Sequence, residues 1–169
     1  MGMGNIVLCG FMGCGKSSIG RRAAALLDRE FCDLDIYIEK KEGMTVAEIF
    51  AKYGEEGFRQ RESRAVEEVA RRPGLVVASG GGTVLSPRNV DAFHAKGCLI
   101  VFLDAPLAAL QERLKNDRRR PLLQVPDRRR VIEELHGKRV PLYRAASDLV
   151  VDAGAPPVIV ARRVVQAVG

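Results

Sequence analysis

No tryptophan occurs among the 169 residues, and no uninterrupted apolar stretch comes near the roughly 20 residues that a membrane-spanning helix requires. No membrane contact is therefore expected. The amino terminus carries neither a basic region nor a small-residue cleavage site before its first apolar run, so no export signal is read there and the expected location is cytoplasmic. Cysteine is scarce as well. Cys9, Cys14, Cys32 and Cys98 form no C-x-x-C pair, and Cys9 and Cys98 lie inside apolar runs, where a thiol behaves as a small buried hydrophobe. That usage suits a reducing compartment and excludes a disulfide-stapled miniprotein. Repeats, low-complexity tracts and Gly/Ser linkers are missing, so a single domain over residues 1–169 is expected. Aromatic residues make up 5% of the chain and none is interleaved with the arginine runs 118–120 and 128–130, which argues against a nucleic-acid face built by base stacking.

What is present is a hydrophobic content of 47%, sufficient for a buried core at this length, and a formal net charge of +6. The charge favours anionic partners without choosing among them. Short apolar, β-branched runs stand at 6–9, 75–78, 99–103 and 149–151, with a weaker one at 31–34. Helical periodicity separates them over 16–27, 45–53, 56–71, 87–94, 106–115, 128–135 continuing past Pro141, and 157–168. Fully apolar strands alternating with helices predict an α/β fold with a parallel sheet covered on both faces. In such sheets ligands sit beyond the carboxyl ends of the strands.

The first strand runs into Gly10-Phe11-Met12-Gly13-Cys14-Gly15-Lys16-Ser17, a complete G-x-x-x-x-G-K-S that opens a helix. The glycines let backbone N–H groups curl around phosphate oxygens; Lys16 reaches the β- and γ-phosphates, and the Ser17 hydroxyl takes a Mg²⁺ position. After the second strand comes Asp33-Leu34-Asp35, read as an extended segment that places both carboxylates on one side. One can help hold Mg²⁺ while the other orients a hydroxyl and accepts its proton. After the third strand Ser79-Gly80-Gly81-Gly82-Thr83 stands where an acidic strand end is usual. Three glycines there open room for a ligand against the backbone, and they also make a flexible turn.

The glycine-rich loop, the Asp33-x-Asp35 pair, Phe58-Arg59-x-x-Glu62, Gly80-Gly81-Gly82, Arg120-Pro121-Leu122 and Arg139-x-Pro141-Leu142-Tyr143 follow one another in an order and spacing that resembles shikimate kinases over nearly the whole chain. The resemblance implies a three-layer α/β/α P-loop kinase fold with a central five-stranded parallel sheet. It also implies a mobile lid at about 114–126 and a substrate-binding helical segment at about 35–62. The implied activity is ATP-dependent phosphorylation of the 3-hydroxyl of shikimate, on the route to chorismate and aromatic amino acids, by a monomer with one Mg²⁺ and no nucleic-acid partner. By the same resemblance, Gly13, Cys14, Gly15, Lys16, Ser17 and Ser18 bind ATP, with Arg113 against adenine and Arg120 brought to the phosphates by the lid. Asp35 binds the substrate hydroxyls and serves as the base. Arg59, Arg139 and Gly80 to Gly82 complete the substrate pocket, and Ser17 with Asp33 holds the metal. The chain departs from the family pattern after Tyr143, where Arg144-Ala145-Ala146 stands.

Other readings of the same residues remain open at this stage. Arg118, Arg119 and the 128–130 run fit a solvated face, and Arg59 with Glu62 fits an ordinary i, i+3 helix pair. Arg113 fits an amphipathic helix, and Tyr143 a packing role. Cys14 reads as a small filler, and His94 and His136 as surface residues. Another P-loop kinase of a hydroxylated acid, such as a gluconate kinase, is the alternative enzyme. A catalytically silent nucleotide-binding module is the alternative outside enzymes.

Overall fold

The computed structural model describes residues 4–169, so the reading of the first three residues lies outside it. Along the chain come β1 (Ile6–Cys9), α1 (Lys16–Leu26), β2 (Glu30–Asp33), α2 (Leu34–Glu42), α3 (Val46–Arg71) and β3 (Leu75–Ala78). Then follow α4 (Pro87–Ala95), β4 (Leu99–Asp104), α5 (Leu107–Leu114), α6 (Arg128–Ala146), β5 (Leu149–Asp152) and α7 (Pro157–Val168), with short 3-10 turns at Thr83–Leu85 and Pro121–Leu123. The five strands form one parallel sheet in the order β2-β3-β1-β4-β5. Helices cover both faces, α1 packing on α7 and α3 on α4.

The central strands follow from their composition. Ile6 to Cys9 and Leu75 to Ala78 are buried at every residue, because strands covered on both faces have no polar side to present. The edge strands β2 and β5 show mixed burial instead. Asn5, buried just before β1, is fully used. Its carboxamide donates to the Val69 carbonyl at the end of α3 and accepts from the Leu75 N–H at the start of β3, each at 2.9 Å. A buried amide without those partners would cost a few kcal/mol, so the contact fixes where α3 hands over to β3.

The helices expected at 45–53 and 56–71 are two halves of α3, broken at Gly54 (φ 71°, ψ −177°). Thr45 caps the first half by accepting from the Glu48 N–H. Pro141 sits inside α6, as the periodicity past it predicts. One expectation is corrected. Asp33-Leu34-Asp35 is not extended throughout, because Asp33 ends β2 and caps α2, accepting from the Ile36 N–H at 3.2 Å, so Asp35 lies in the first helical turn. The two carboxylates still lie near enough for the charge of Asp33 to act on Asp35, through the sharp strand-to-helix turn and not through strand alternation.

Candidate active site

The carboxyl ends of β1, β2 and β3 deliver three loops to one place. After β1, Gly13 (φ 80°) and Gly15 (φ 97°) adopt backbone that a side chain would strain, which wraps the loop into α1. Helix α1 has no side-chain cap and no acidic residue in its first turn, so its N–H groups are left to an anion. Lys16 Nζ lies across this loop, donating to the Gly10 carbonyl at 2.8 Å and the Phe11 carbonyl at 3.3 Å. Ser17 Oγ donates to Asp33 Oδ2 at 2.8 Å, joining the two expected metal ligands. Ser18 is exposed on the first turn of α1, and Cys14 is buried, its sulfur 4.0 Å from Lys16 Nζ. From α5, Arg113 reaches back to the loop and donates to the Gly13 carbonyl at 3.0 Å.

The triple glycine after β3 gathers the remaining residues. A methyl group built on Gly80 would come within 3.0 Å of Asp35 Oδ1. One on Gly81 would lie 3.7 Å from Arg139 Nη1, and one on Gly82 only 2.6 Å from Arg59 Nη2. Each glycine therefore faces a different side chain of the expected substrate site, and only residues without Cβ permit that approach at Gly82. Asp35, Arg59 and Arg139 come from α2, α3 and α6, so their meeting is a product of the fold.

Behind the turn stands a buried polar frame. Glu62, 1% exposed, receives Arg59 Nη1 at 2.9 Å on one oxygen and Thr83 Oγ1 at 3.0 Å on the other. Thr83 Oγ1 in turn accepts from the Gly80 N–H at 2.9 Å. Asn89 donates to the Thr83 carbonyl and accepts from Ser63 Oγ. A buried carboxylate persists only when paired, and here the pairing aims Arg59 and pins the turn. The Arg59–Glu62 pair is thus the i, i+3 pair the sequence suggests, with Glu62 inside the protein and not decorating its surface.

Asp35 has its carboxyl pushed up to about 6, by burial first and then by the like charges of Asp33 and Glu62, with Lys16 opposing. Tyr143 does more than the packing role expected of it. Fully buried against Phe102, it donates through its phenol to the Gly81 carbonyl at 2.6 Å. Burial pushes that phenol up to about 12, with Arg139 near enough to oppose the rise. Its position four residues after Arg139 is the signal that sequence reading could have used, since the two share a helix face.

Arg120 lies in the segment 114–126 with its guanidinium bound by Asp117 of the same segment. The 128–130 run departs from the solvated face expected of it: Arg128 is half-buried and bonded to carbonyls, while Arg129 and Arg130 are exposed. His94 pairs with Asp148 at 3.0 Å, and His136 packs edge-on against Phe11 at 5.6 Å.

The comparisons with known proteins agree with this geometry. The family model described as shikimate kinase matches residues 12–169. The chain is 46% identical to the shikimate kinase of Aromatoleum aromaticum over 88% of its own length and 85% of that protein's. It is 44% identical to that of Halorhodospira halophila over 96% of its length and 92% of that protein's. Among solved structures, shikimate kinase from Acinetobacter baumannii in complex with shikimate superposes with a TM-score of 0.90 at 37% identity, covering 98% of this chain and 93% of that one.

Proposed function

Because the chain belongs to the shikimate kinase family, we propose that it transfers the γ-phosphoryl group of ATP to the 3-hydroxyl of shikimate, giving shikimate 3-phosphate and ADP in aromatic amino acid biosynthesis. The observation that carries the choice of acceptor is the Gly80 to Gly82 turn facing Asp35, Arg139 and Arg59 one after another. Shikimate offers one carboxylate and three hydroxyls. Forked guanidinium donors from Arg59 and Arg139 suit the first, and the Asp35 carboxylate suits the others.

In the reaction, the 3-hydroxyl oxygen forms a bond to the γ-phosphorus while the bond from that phosphorus to the bridging oxygen of ADP breaks, and Asp35 accepts the hydroxyl proton. Lys16 exchanges the Gly10 and Phe11 carbonyls for phosphate oxygens. Arg120 leaves Asp117 for the same phosphates as the segment 114–126 closes and keeps water from competing as acceptor. Arg113, already held at Gly13, lies along the nucleotide. Residues 35–62 carry the acceptor.

The Ser17 hydroxyl and the Asp33 carboxylate are hard oxygen donors at 2.8 Å from one another, the kind of pair that Mg²⁺ takes when phosphates and water fill the rest of its shell. Among the described residues no group of three or more His, Cys, Asp or Glu could hold a metal; we read one Mg²⁺ per subunit, which this pair would hold together with ATP. When bound it neutralises charge building on the phosphates. The four cysteines are free and buried, and among the described residues no helix is long and apolar enough to cross a membrane. We read the protein as a cytoplasmic monomer that works on shikimate and ATP.

The test is ADP release from Mg-ATP by the purified protein with and without shikimate, with gluconate and AMP as controls. Turnover with shikimate alone is expected. Turnover with gluconate, or ADP release independent of any acceptor, would overturn the reading.

A further inference from the structure

The lid segment is not a loose loop, because one side chain ties both of its ends together. Arg128 opens α6, the end of a helix where a cation is electrostatically disfavoured. Its guanidinium is spent elsewhere. Nη1 donates to the carbonyls of Leu114 and Lys115 at 2.9 Å each, which are the orphan acceptors at the end of α5, where a cation is favoured. Nε donates to the Leu123 carbonyl at 2.8 Å, and Leu123 is the lid residue buried to 0% exposure. Arg128 thus closes residues 115–127 into a loop at its base and at its buried anchor.

From there a second residue carries the connection forward. Gln124 Oε1 faces Arg128 Nη2 at 3.4 Å, and Gln124 Nε2 donates to the carbonyls of Asp117 at 2.9 Å and Arg120 at 3.0 Å. Asp117 adds its carboxylate to the Arg119 and Arg120 N–H groups. Through Gln124, Arg128 is linked to the backbone of the arginine assigned to the phosphates.

We propose that Arg128 is a positioning residue for phosphoryl transfer: it fixes the hinge of the lid and, through Gln124, the direction in which Arg120 is presented, so that the lid closes as one preformed piece. This rests on the kinase reading above. Arg128 touches no substrate and acts through the loop it closes.

The test compares Arg128→Ala, Arg128→Lys and Gln124→Ala with the parent enzyme, measuring kcat, KM for each substrate, thermal midpoint, and ADP released per shikimate 3-phosphate formed. In Arg128→Ala, kcat is expected to fall about tenfold and KM for ATP to rise severalfold, with KM for shikimate within twofold. The ADP-to-product ratio rises above one as water enters beneath a misplaced lid. Arg128→Lys should not rescue, since one ammonium cannot span three carbonyls held in a fork, and Gln124→Ala should shift the same quantities less. A lower thermal midpoint with kcat and the ratio unchanged would reduce Arg128 to a helix-end stabiliser and overturn the proposal. If Arg128→Ala does not fold, Arg128→Lys and Gln124→Ala decide by the same readouts. A parent enzyme without shikimate-dependent turnover would instead overturn the kinase reading, which separates the two failures.

Discussion

Asp35, the proposed base, is held in its place at a cost to the fold. Its carboxyl is raised from 3.8 to about 6 because burial and the neighbouring Asp33 and Glu62 disfavour its charge. Each unit of such a shift is worth about 1.4 kcal/mol, so the ionised group costs the fold about 3 kcal/mol. The folded pKa lies above the unfolded one. The cost is therefore complete above pH 6 and disappears as pH falls from about 6 to about 4. Asp35→Asn is expected to abolish transfer, to leave ATP binding near that of the parent, and to raise the melting temperature at pH 7 by about 6–12 °C, with the gain vanishing by pH 4. Calorimetry across that range checks it, and an active Asp35→Asn enzyme would remove the base assignment. In the parent, kcat/KM for shikimate should fall below pH about 6 as Asp35 takes up a proton. Tyr143 supplies the opposite kind of residue, one that acts by holding its neighbours. Tyr143→Phe keeps the ring against Phe102 but removes the donor to the Gly81 carbonyl. KM for shikimate should rise about fivefold to tenfold with kcat little changed, and steady-state kinetics on both substrates would show an equal loss in each if the phenol served only the core.

At the level of elements, two glycines test the difference between a turn that shapes the fold and one that shapes the site. Gly54 breaks α3 at φ 71°, and a methyl group there would meet nothing within 4 Å. Gly54→Ala should therefore cost only backbone strain, about 1–2 kcal/mol, seen as a lower melting temperature. Gly82→Ala puts a methyl group 2.6 Å from the tip of Arg59, a flexible side chain that can swing away. The fold should tolerate it with little change in melting temperature, while KM for shikimate rises at least tenfold; the reverse pattern would mean the turn is structural. The same elements show what was legible beforehand. β1, β3 and β4 announced themselves because strands buried on both faces are apolar throughout, and α1 because the phosphate loop must open a helix. The start of α2 came only from the family resemblance, since the residues alone read Asp33-Leu34-Asp35 as extended, while the Asp33 cap has already turned the chain. The frame of Glu62, Thr83, Asn89 and Ser63 was beyond reach for another reason. Its bonds join residues up to 26 apart in sequence, and only the packing of α3 and α4 makes them neighbours.

On the proposed reading, the whole molecule divides its anion recognition between two sets of elements that share the end of the sheet. The proposed nucleotide side is the loop after β1 with α1, α5 and the segment 114–126, while the proposed acceptor side is α2, α3, the Gly80 to Gly82 turn and α6. On each side the cations have partners within the chain: Lys16 the Gly10 and Phe11 carbonyls, Arg120 Asp117, and Arg59 Glu62. A ligand that binds only the folded chain stabilises it by about 2.7 kcal/mol at a hundredfold excess over its Kd. For 169 residues that corresponds to a rise in melting temperature of about 5–10 °C. Because the proposed reading gives the two sides different residues, the shifts should be separable. Arg139→Ala is expected to lose the shift given by shikimate and keep the one given by Mg-ATP, and Lys16→Ala to do the opposite. Thermal melts of both variants with each ligand alone check this, and a variant that loses both shifts would mean that the two anions are read by one shared set of residues and not by two.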